Sequence, residues 1–261
     1  MAYIKEYWTN KEKRAEQAKL HTEEMKQLFG EKIQQSVKDT RIYDVDFQSS
    51  IIYSCKSEII VEATDSVSAM MHHAKECQNH MAVLNFSSYK NPGGMFLNGS
   101  IAQEECLCHD SYLYNVLSEF ETMFYDWNNK NKNRALYLNR GLYSPNIVFQ
   151  KDGNSVLCDV ITCAAPNKSA AHRYQKVTDE ENTKVLKSRI RFVLDIAKEN
   201  HVDLLILGAY GCGVFGQDAK EVASIFKEYL NTTHKCFEKV IFAIPNGKDK
   251  NFEAFEMIFG N

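Results

Sequence analysis

"VDLLILGAYGCGVFGQDAKEVASIF", residues 202–226, carries three signals in one line. Val202 to Ala209 is an apolar run of strand length. Gly208 to Gly216 is glycine-rich, and Val222, Ile225, Phe226 and then Tyr229 recur at helical spacing. A buried strand, a glycine turn and an amphipathic helix in immediate succession form the building unit of a mostly parallel α/β sheet.

The same alternation extends in both directions. Ile59 to Ala63, Met81 to Phe86, Leu157 to Ala165 and Lys239 to Pro245 are further apolar, mostly β-branched runs, as expected of strands covered on both faces. Between them lie helical patterns. Thr178 with Glu181 makes a capping box, followed by the stripe Leu186, Ile190, Val193 and Ala197. Ala15, Ala18, Thr22, Met25 and Phe29 predict a surface helix over about residues 10–37. The polar "WNNKNKNR" (Trp127 to Arg134) reads as a surface loop. There is no repeat, low-complexity tract or composition break, so one α/β domain with helices on both faces is expected.

Composition excludes several function classes. With 261 residues and a net charge of -3, the chain has core enough for one domain and no global basic field to draw it to nucleic acid or anionic lipid. The N-terminal stretch is charged almost from the start, and no run approaches the roughly 18 apolar residues of a membrane span. The expectation is an intracellular, cytoplasmic protein with no membrane partner. The eight cysteines are expected to be reduced thiols that pack as small apolar groups. Cys106, Cys108 and His109 are the one tempting ligand cluster, but their spacing departs from that of zinc sites and no second pair completes it. No metal and no cofactor is expected.

Ligands of open α/β folds sit beyond the carboxyl ends of the strands, where two stretches fall. Gly211, Gly213 and Gly216 have dinucleotide-fingerprint spacing, but a fingerprint belongs to the first strand-helix unit and this one is in the last quarter of the chain. What survives is the physics of the turn. Glycines let backbone N–H groups approach an anion, and the following helix N-terminus adds its dipole, so a diphosphate cradle is expected; a turn with glycines for geometry alone is the plainer alternative. The second stretch is "NPGGMFLNGSIAQEE", residues 91–105. Gly93 and Gly94 admit close approach, while Gln103, Glu104 and Glu105 are expected near the start of a helix running through Leu113. Carboxylates there are often mere dipole partners. Adjacent helical residues point about 100° apart, so the two glutamates are expected to do different jobs.

The segment "VLNFSSYKNPGGMFLNGSIAQEECLCHDSYLYNVL" (Val83 to Leu117) resembles the signature region of the bacterial-type poly(ADP-ribose) glycohydrolases of the macrodomain superfold. "GLYSPNIVF" (Gly141 to Phe149), "DVITCAAPN" (Asp159 to Asn167) and "GAYGCGVFG" (Gly208 to Gly216) resemble that family's later blocks in the right order, so the likeness covers roughly residues 10–245. It implies a three-layer α/β/α macrodomain-like sandwich, with a mixed, mostly parallel central sheet and an N-terminal helical extension over about residues 1–40 of a single domain, 1–261. It further implies Glu105 as catalyst, Glu104 and Gln103 at the terminal ribose, and Gly93 and Gly94 beside the ligand. Gly211, Cys212, Gly213, Val214 and Phe215 become the diphosphate loop, with Phe215 also near the ribose. The family usually has three consecutive glycines where this chain has Gly93, Gly94 and Met95. If the third position needs a left-handed backbone or contact with phosphate, Met95 would impair binding or narrow the substrate range.

Cleaving a ribose-ribose bond passes through an oxocarbenium-like state, in which the leaving hydroxyl needs a proton and the incoming water must lose one. One glutamic acid, Glu105, can do both in sequence without a metal. The expected activity is therefore hydrolysis of poly(ADP-ribose) by a monomeric glycosidase. Release of a single ADP-ribose from modified protein or nucleic acid is the alternative enzyme reading, and a non-catalytic ADP-ribose reader is the alternative from another class.

Overall fold

The structure, a computed structural model, describes residues 10–74 and 80–260; residues 1–9 of the expected N-terminal extension lie outside them. Helix α1 (Lys11–Asp39) is followed by β1 (Arg41–Tyr43), β2 (Glu58–Glu62), α2 (Ser66–His73) and β3 (Met81–Phe86). Next come α3 (Gln103–His109), α4 (Leu113–Ser118), a π-helical turn (Glu121–Asp126) and α5 (Trp127–Lys130), and then the antiparallel pair β4 (Gly141–Lys151) and β5 (Asn154–Cys163). The chain continues through α6 (Lys168–Gln175), α7 (Asp179–Glu199), β6 (Leu204–Leu207), α8 (Ala219–Asn231), β7 (Lys239–Ala243) and α9 (Asn251–Phe259).

The strands form one seven-stranded sheet in the order β1-β4-β5-β3-β6-β7-β2. Pairing is parallel from β5 through β3, β6 and β7 to β2, and antiparallel where β4 meets β5 and β1. This is the mixed, mostly parallel sheet expected. Because side chains alternate along a strand, each central strand feeds two cores. Ala82, Leu84, Ile161, Leu205, Leu207, Val240 and Phe242 pack with Ile190, Val193, Val222, Phe226 and Phe255 of α7, α8 and α9. Val83, Val160, Leu204, Ile206 and Ile241 pack with Met25, Ile33, Val67, Met70, Leu107 and Val116 of α1 to α4. The result is three layers, with α1 as part of one helical face.

Three local readings need correction. Strands β1 and β4 gave no clear apolar run: β4 carries Pro145 and Asn146, the latter at φ +59°, where the register shifts between Ser144 and Ile147. A bulge of this kind interrupts the two-residue period on which strand recognition rests. "WNNKNKNR" is no simple surface loop. Trp127 to Lys130 is helical, and Asn128 is fully buried because its side-chain amide donates to the Tyr89 carbonyl at 2.9 Å. Helix α3 ends at His109 rather than running through Leu113, because the Ser111 hydroxyl bonds back to the Leu107 carbonyl and Ser111 itself bridges to Phe149. What the fold positions for chemistry is the carboxyl end of β3, β5 and β6, where the loops after Phe86, Cys163 and Leu207 converge on one cavity.

Candidate active site

The loop after β3 is shaped by glycine. Gly93 and Gly94 both lie at φ +62°, a left-handed pair that reverses the chain, and Gly99 at φ +75° ends the 3-10 turn Phe96–Asn98. A side chain on Gly94 would stand 2.6 Å from Glu105 Oε1 and 2.8 Å from Glu104 Oε2. The backbone therefore lies directly over the two carboxylates. At Gly99 the neighbour is α1, whose Lys11 carbonyl stands where a Cβ would be and whose Arg14 Nε donates to the Gly99 carbonyl at 2.7 Å. The N-terminal helix thus holds the far side of this loop.

Glu105 closes the loop from inside: Oε1 accepts the Met95 N–H at 2.9 Å and Oε2 accepts the Ala102 N–H at 2.8 Å. Glu104, one position earlier on α3, turns toward β3. Its Oε2 accepts the Ser88 N–H at 2.7 Å, and its Oε1 the Asn85 side-chain amide at 3.1 Å. Both glutamates are nearly fully buried, at 3% and 5% exposure. Desolvation raises the Glu104 carboxyl to about 8 against the pull of the Ser88 and Asn85 hydrogen bonds, and the Glu105 charge adds to the rise. Asn85 Oδ1 is buried without a partner, so a half-turn of this amide offers a neutral Glu104 an acceptor for its proton. The two carboxyl groups have different surroundings, as their spacing on the helix predicts.

Gln103 serves the strand end. Its Oε1 accepts the Phe86 N–H at 2.9 Å, while its Nε2 donates to the Leu84 carbonyl at 2.9 Å and to Ser66 Oγ at 3.2 Å. It borders the cavity, with its amide committed to fixing α3 against β3 and α2.

In the second loop the three glycines divide. Gly211 and Gly216 take left-handed conformations, and a Cβ on either would strike Ala165 and Gln217 or Ser169 respectively; these two are required by the turn and its packing. Gly213 has neither a left-handed backbone nor any atom within 4 Å of an added Cβ, and it borders the cavity. Its bareness leaves open space at the cavity edge. At the helix end expected to assist, Asp218 caps α8 by accepting the Glu221 N–H at 2.9 Å, so a carboxylate already stands beside the dipole. Val214 is 88% exposed at the rim. Cys212 does not line the cavity: it packs against the core, and burial pushes its thiol up to about 12.

A wall that the sequence did not announce faces these loops. Tyr89 and Tyr137 stack at 4.2 Å, and Phe215 meets Tyr137 edge-on at 6.1 Å. Tyr137 is delivered by an unusual turn in which Asn133, Arg134, Ala135 and Tyr137 itself all have φ between 43° and 65°. Non-glycine residues resist that conformation by about 1 kcal/mol or more each, so surrounding contacts must hold the turn. Asn167 N–H to the Ala135 carbonyl at 3.0 Å is one of them.

Together these parts enclose about 650 Å³, enough for a nucleotide-sized ligand. Of the residues expected at the site, Gly94, Gln103, Glu104, Glu105, Gly211, Gly213, Val214 and Phe215 line the cavity, joined by Met95. Gly93 lies behind it against Tyr114. Met95 has φ -111° and is 45% exposed, so its position makes no left-handed demand and its side chain stands at the mouth. Asn85, Ser88, Tyr89, Tyr137 and Asn167 were missed. Only the asparagine at a strand's carboxyl end offered any signal, since a polar side chain in an apolar run needs a buried partner. Glu62, His72 and His73 bring ligand atoms within 4.8 Å of one another outside this cavity, and Glu62 with His73 is already closed as a 2.8 Å pair. No helix of the described residues is long and apolar enough to cross a membrane.

Residues 10–152 match the family model for the microbial-type PARG catalytic domain. Among solved structures, the chain is similar to poly(ADP-ribose) glycohydrolase from Thermomonospora curvata, at 27% identity and a TM-score of 0.85 over 94% of this chain and 99% of that one. The same enzyme bound to the inhibitor ADP-HPD matches with 26% identity and a TM-score of 0.83 over 95% and 100%. Poly(ADP-ribose) glycohydrolase from Deinococcus radiodurans in complex with ADP-ribose matches with 29% identity and a TM-score of 0.78 over 87% and 97%. Comparison with curated protein sequences gives no significant match. With a family match over more than half its length and a glycine turn lying on two buried glutamates, this chain belongs to the microbial-type PARG family, glycosidases that act on ADP-ribose polymers.

Proposed function

We propose that Glu105 is the general acid and then the general base in hydrolysis of the ribose-ribose bond of poly(ADP-ribose). The observation that carries this is its setting: a buried carboxyl group on a rigid helix, fixed by two backbone N–H groups of the loop it closes, at the edge of a cavity of nucleotide size. In the first step the Glu105 carboxyl gives its proton to the glycosidic oxygen as the bond from C1 of the terminal ribose breaks. The departing chain leaves with a hydroxyl group, and C1 carries oxocarbenium character. Water then attacks C1 and passes its proton to Glu105, which restores the acid and leaves free ADP-ribose.

Glu104, turned toward β3, holds the terminal ribose, and Gln103 keeps α3 in register with β3. Gly211, Gly213, Val214 and Phe215 receive the diphosphate, with Gly213 giving the closest approach. Gly93 and Cys212 act through the backbone shape of their loops. Residues 1–261 form a single catalytic unit, active as a cytoplasmic monomer without metal or cofactor. Incubation with poly(ADP-ribose) tests the reading. Wild-type protein should release ADP-ribose, and Glu105→Gln should lose at least a hundredfold in rate while binding ADP-ribose within a few-fold of wild type. Near-normal turnover by folded Glu105→Gln protein refutes the assigned role.

A further inference from the structure

Arg189 on α7 has no exposed surface. Its Nε donates to Asn139 Oδ1 at 2.8 Å and its Nη1 to the Ala164 carbonyl, the Tyr210 hydroxyl lies close to the guanidinium, and its Nη2 makes no hydrogen bond of good geometry. Among the described residues, ion pairs form at Arg134, Arg140 and Arg191 for example, and none is found at Arg189. Charges buried without a counterion are costly, and proteins seldom keep them unless something answers the charge.

The surroundings indicate what does. Ala164 precedes Ala165, which lines the cavity and against which Gly211 is packed so closely that a Cβ there would lie 2.8 Å from the Ala165 Cβ. Burial raises the phenols of Tyr89 and Tyr137 in the cavity wall, and the Arg189 charge is among the influences that oppose the rise. Tyr210, whose hydroxyl donates to the Cys163 carbonyl at 3.0 Å, immediately precedes Gly211. The guanidinium therefore lies directly behind the floor and aromatic wall at the glycine-loop end of the cavity. Arg189 also ties two parts of that wall together, Asn139 after the left-handed turn and Ala164 at the end of β5.

We infer that Arg189 is a positioning residue that supplies, from behind the wall, the positive charge answering the ligand's diphosphate. The inference rests on the ADP-ribose reading of the cavity. A diphosphate diester brings about two negative charges into the site, and a fixed cation in a low-dielectric wall attracts it with little screening by salt. Without ligand the guanidinium is uncompensated; with ligand the two charges answer each other.

Calorimetric titration with ADP-ribose, alongside melting curves, tests this on four variants of the full chain. Arg189→Met should weaken ADP-ribose binding at least tenfold, whereas Arg189→Lys, which keeps the charge, should stay within about threefold of wild type. Asn139→Asp leaves the arginine in place and sets a carboxylate against its Nε; it should also weaken binding at least tenfold, while the melting temperature holds or rises because the buried charge gains a counterion. Lys184→Gln makes the same change of net charge at an exposed position of α7 and should leave affinity within twofold. Should Arg189→Met fail to fold, Asn139→Asp decides. Folded Asn139→Asp protein with wild-type affinity overturns the inference, as does an Arg189→Lys variant that binds as poorly as Arg189→Met, since a purely structural tie would then be enough. Wild-type protein that bound no ADP-ribose would overturn the site reading together with this inference.

Discussion

Gly94→Ala is the sharpest probe of how the glycine turn serves the two carboxylates. The added methyl group would stand 2.6 Å from Glu105 Oε1 and 2.8 Å from Glu104 Oε2 at a residue held at φ +62°. Restoring ordinary contact at about 3.4 Å requires these oxygens to retreat by about 0.8 and 0.6 Å. Glu105 cannot retreat freely, because its oxygens are held at 2.9 and 2.8 Å by Met95 and Ala102. At least one of those bonds must break, at about 1–3 kcal/mol for the backbone N–H left unsatisfied, and the left-handed backbone adds about 1–2 kcal/mol for a residue with a Cβ. The expected loss is about 2–5 kcal/mol of stability, or roughly 4–20 °C in melting temperature for a domain near this size. A catalytic group misplaced by nearly 1 Å costs on the order of a hundredfold in rate. Release of ADP-ribose from poly(ADP-ribose), with kcat and KM measured separately and a melting curve on the same preparation, checks both figures. A Gly94→Ala protein with kcat within threefold of wild type would show that the carboxylate positions do not matter as argued.

Three further outcomes follow from the same geometry. Gly213→Val should melt within about 2 °C of wild type, because open space surrounds that position, yet bind ADP-ribose at least tenfold more weakly; unchanged affinity by calorimetry would refute the diphosphate cradle. Met95→Gly removes a half-exposed side chain from the cavity mouth: a rise in activity on poly(ADP-ribose) marks Met95 as an obstruction, unchanged kinetics marks it as a flank of the turn, and loss of ligand binding without unfolding marks it as a substrate contact that favours the mono-ADP-ribose alternative. Glu104 gives a pH signature. Its carboxyl is raised from an ordinary 4.5 to about 8, so between these limits the folded state holds a proton that the unfolded chain has released, and stability falls as pH rises through that window. Melting temperatures from pH 5 to 8 should decline less steeply in Glu104→Gln than in wild type; parallel curves for the two proteins would show that Glu104 is charged when folded.

The sequence by itself determined the layered α/β fold and which loops border its cavity. Runs such as Met81 to Phe86 and Val202 to Ala209 are continuous in apolar residues because both faces of these strands are covered, and that covering writes itself into local composition. The paired glutamates and both glycine loops were legible for a related reason: a left-handed turn favours glycine, a backbone that must lie on carboxylates leaves no room for a Cβ, and this shows at single positions. What the sequence left open was decided by contacts between distant segments. It could not separate Gly213, bare toward the cavity, from Gly211 and Gly216, bare because Ala165 and Ser169 are in the way. Nor could it show that Gln103 would be spent on Phe86 and Leu84, or that Asp218 would occupy the helix end expected to receive an anion. The aromatic wall of Tyr89, Tyr137 and Phe215 joins three loops separated by 48 and 78 residues along the chain, and a buried arginine without a counterion stands behind it on a fourth element. Local patterns fix which segments become strands and turns; side chains from remote segments acquire partners, burial and shifted charge only once the sheet has brought them together.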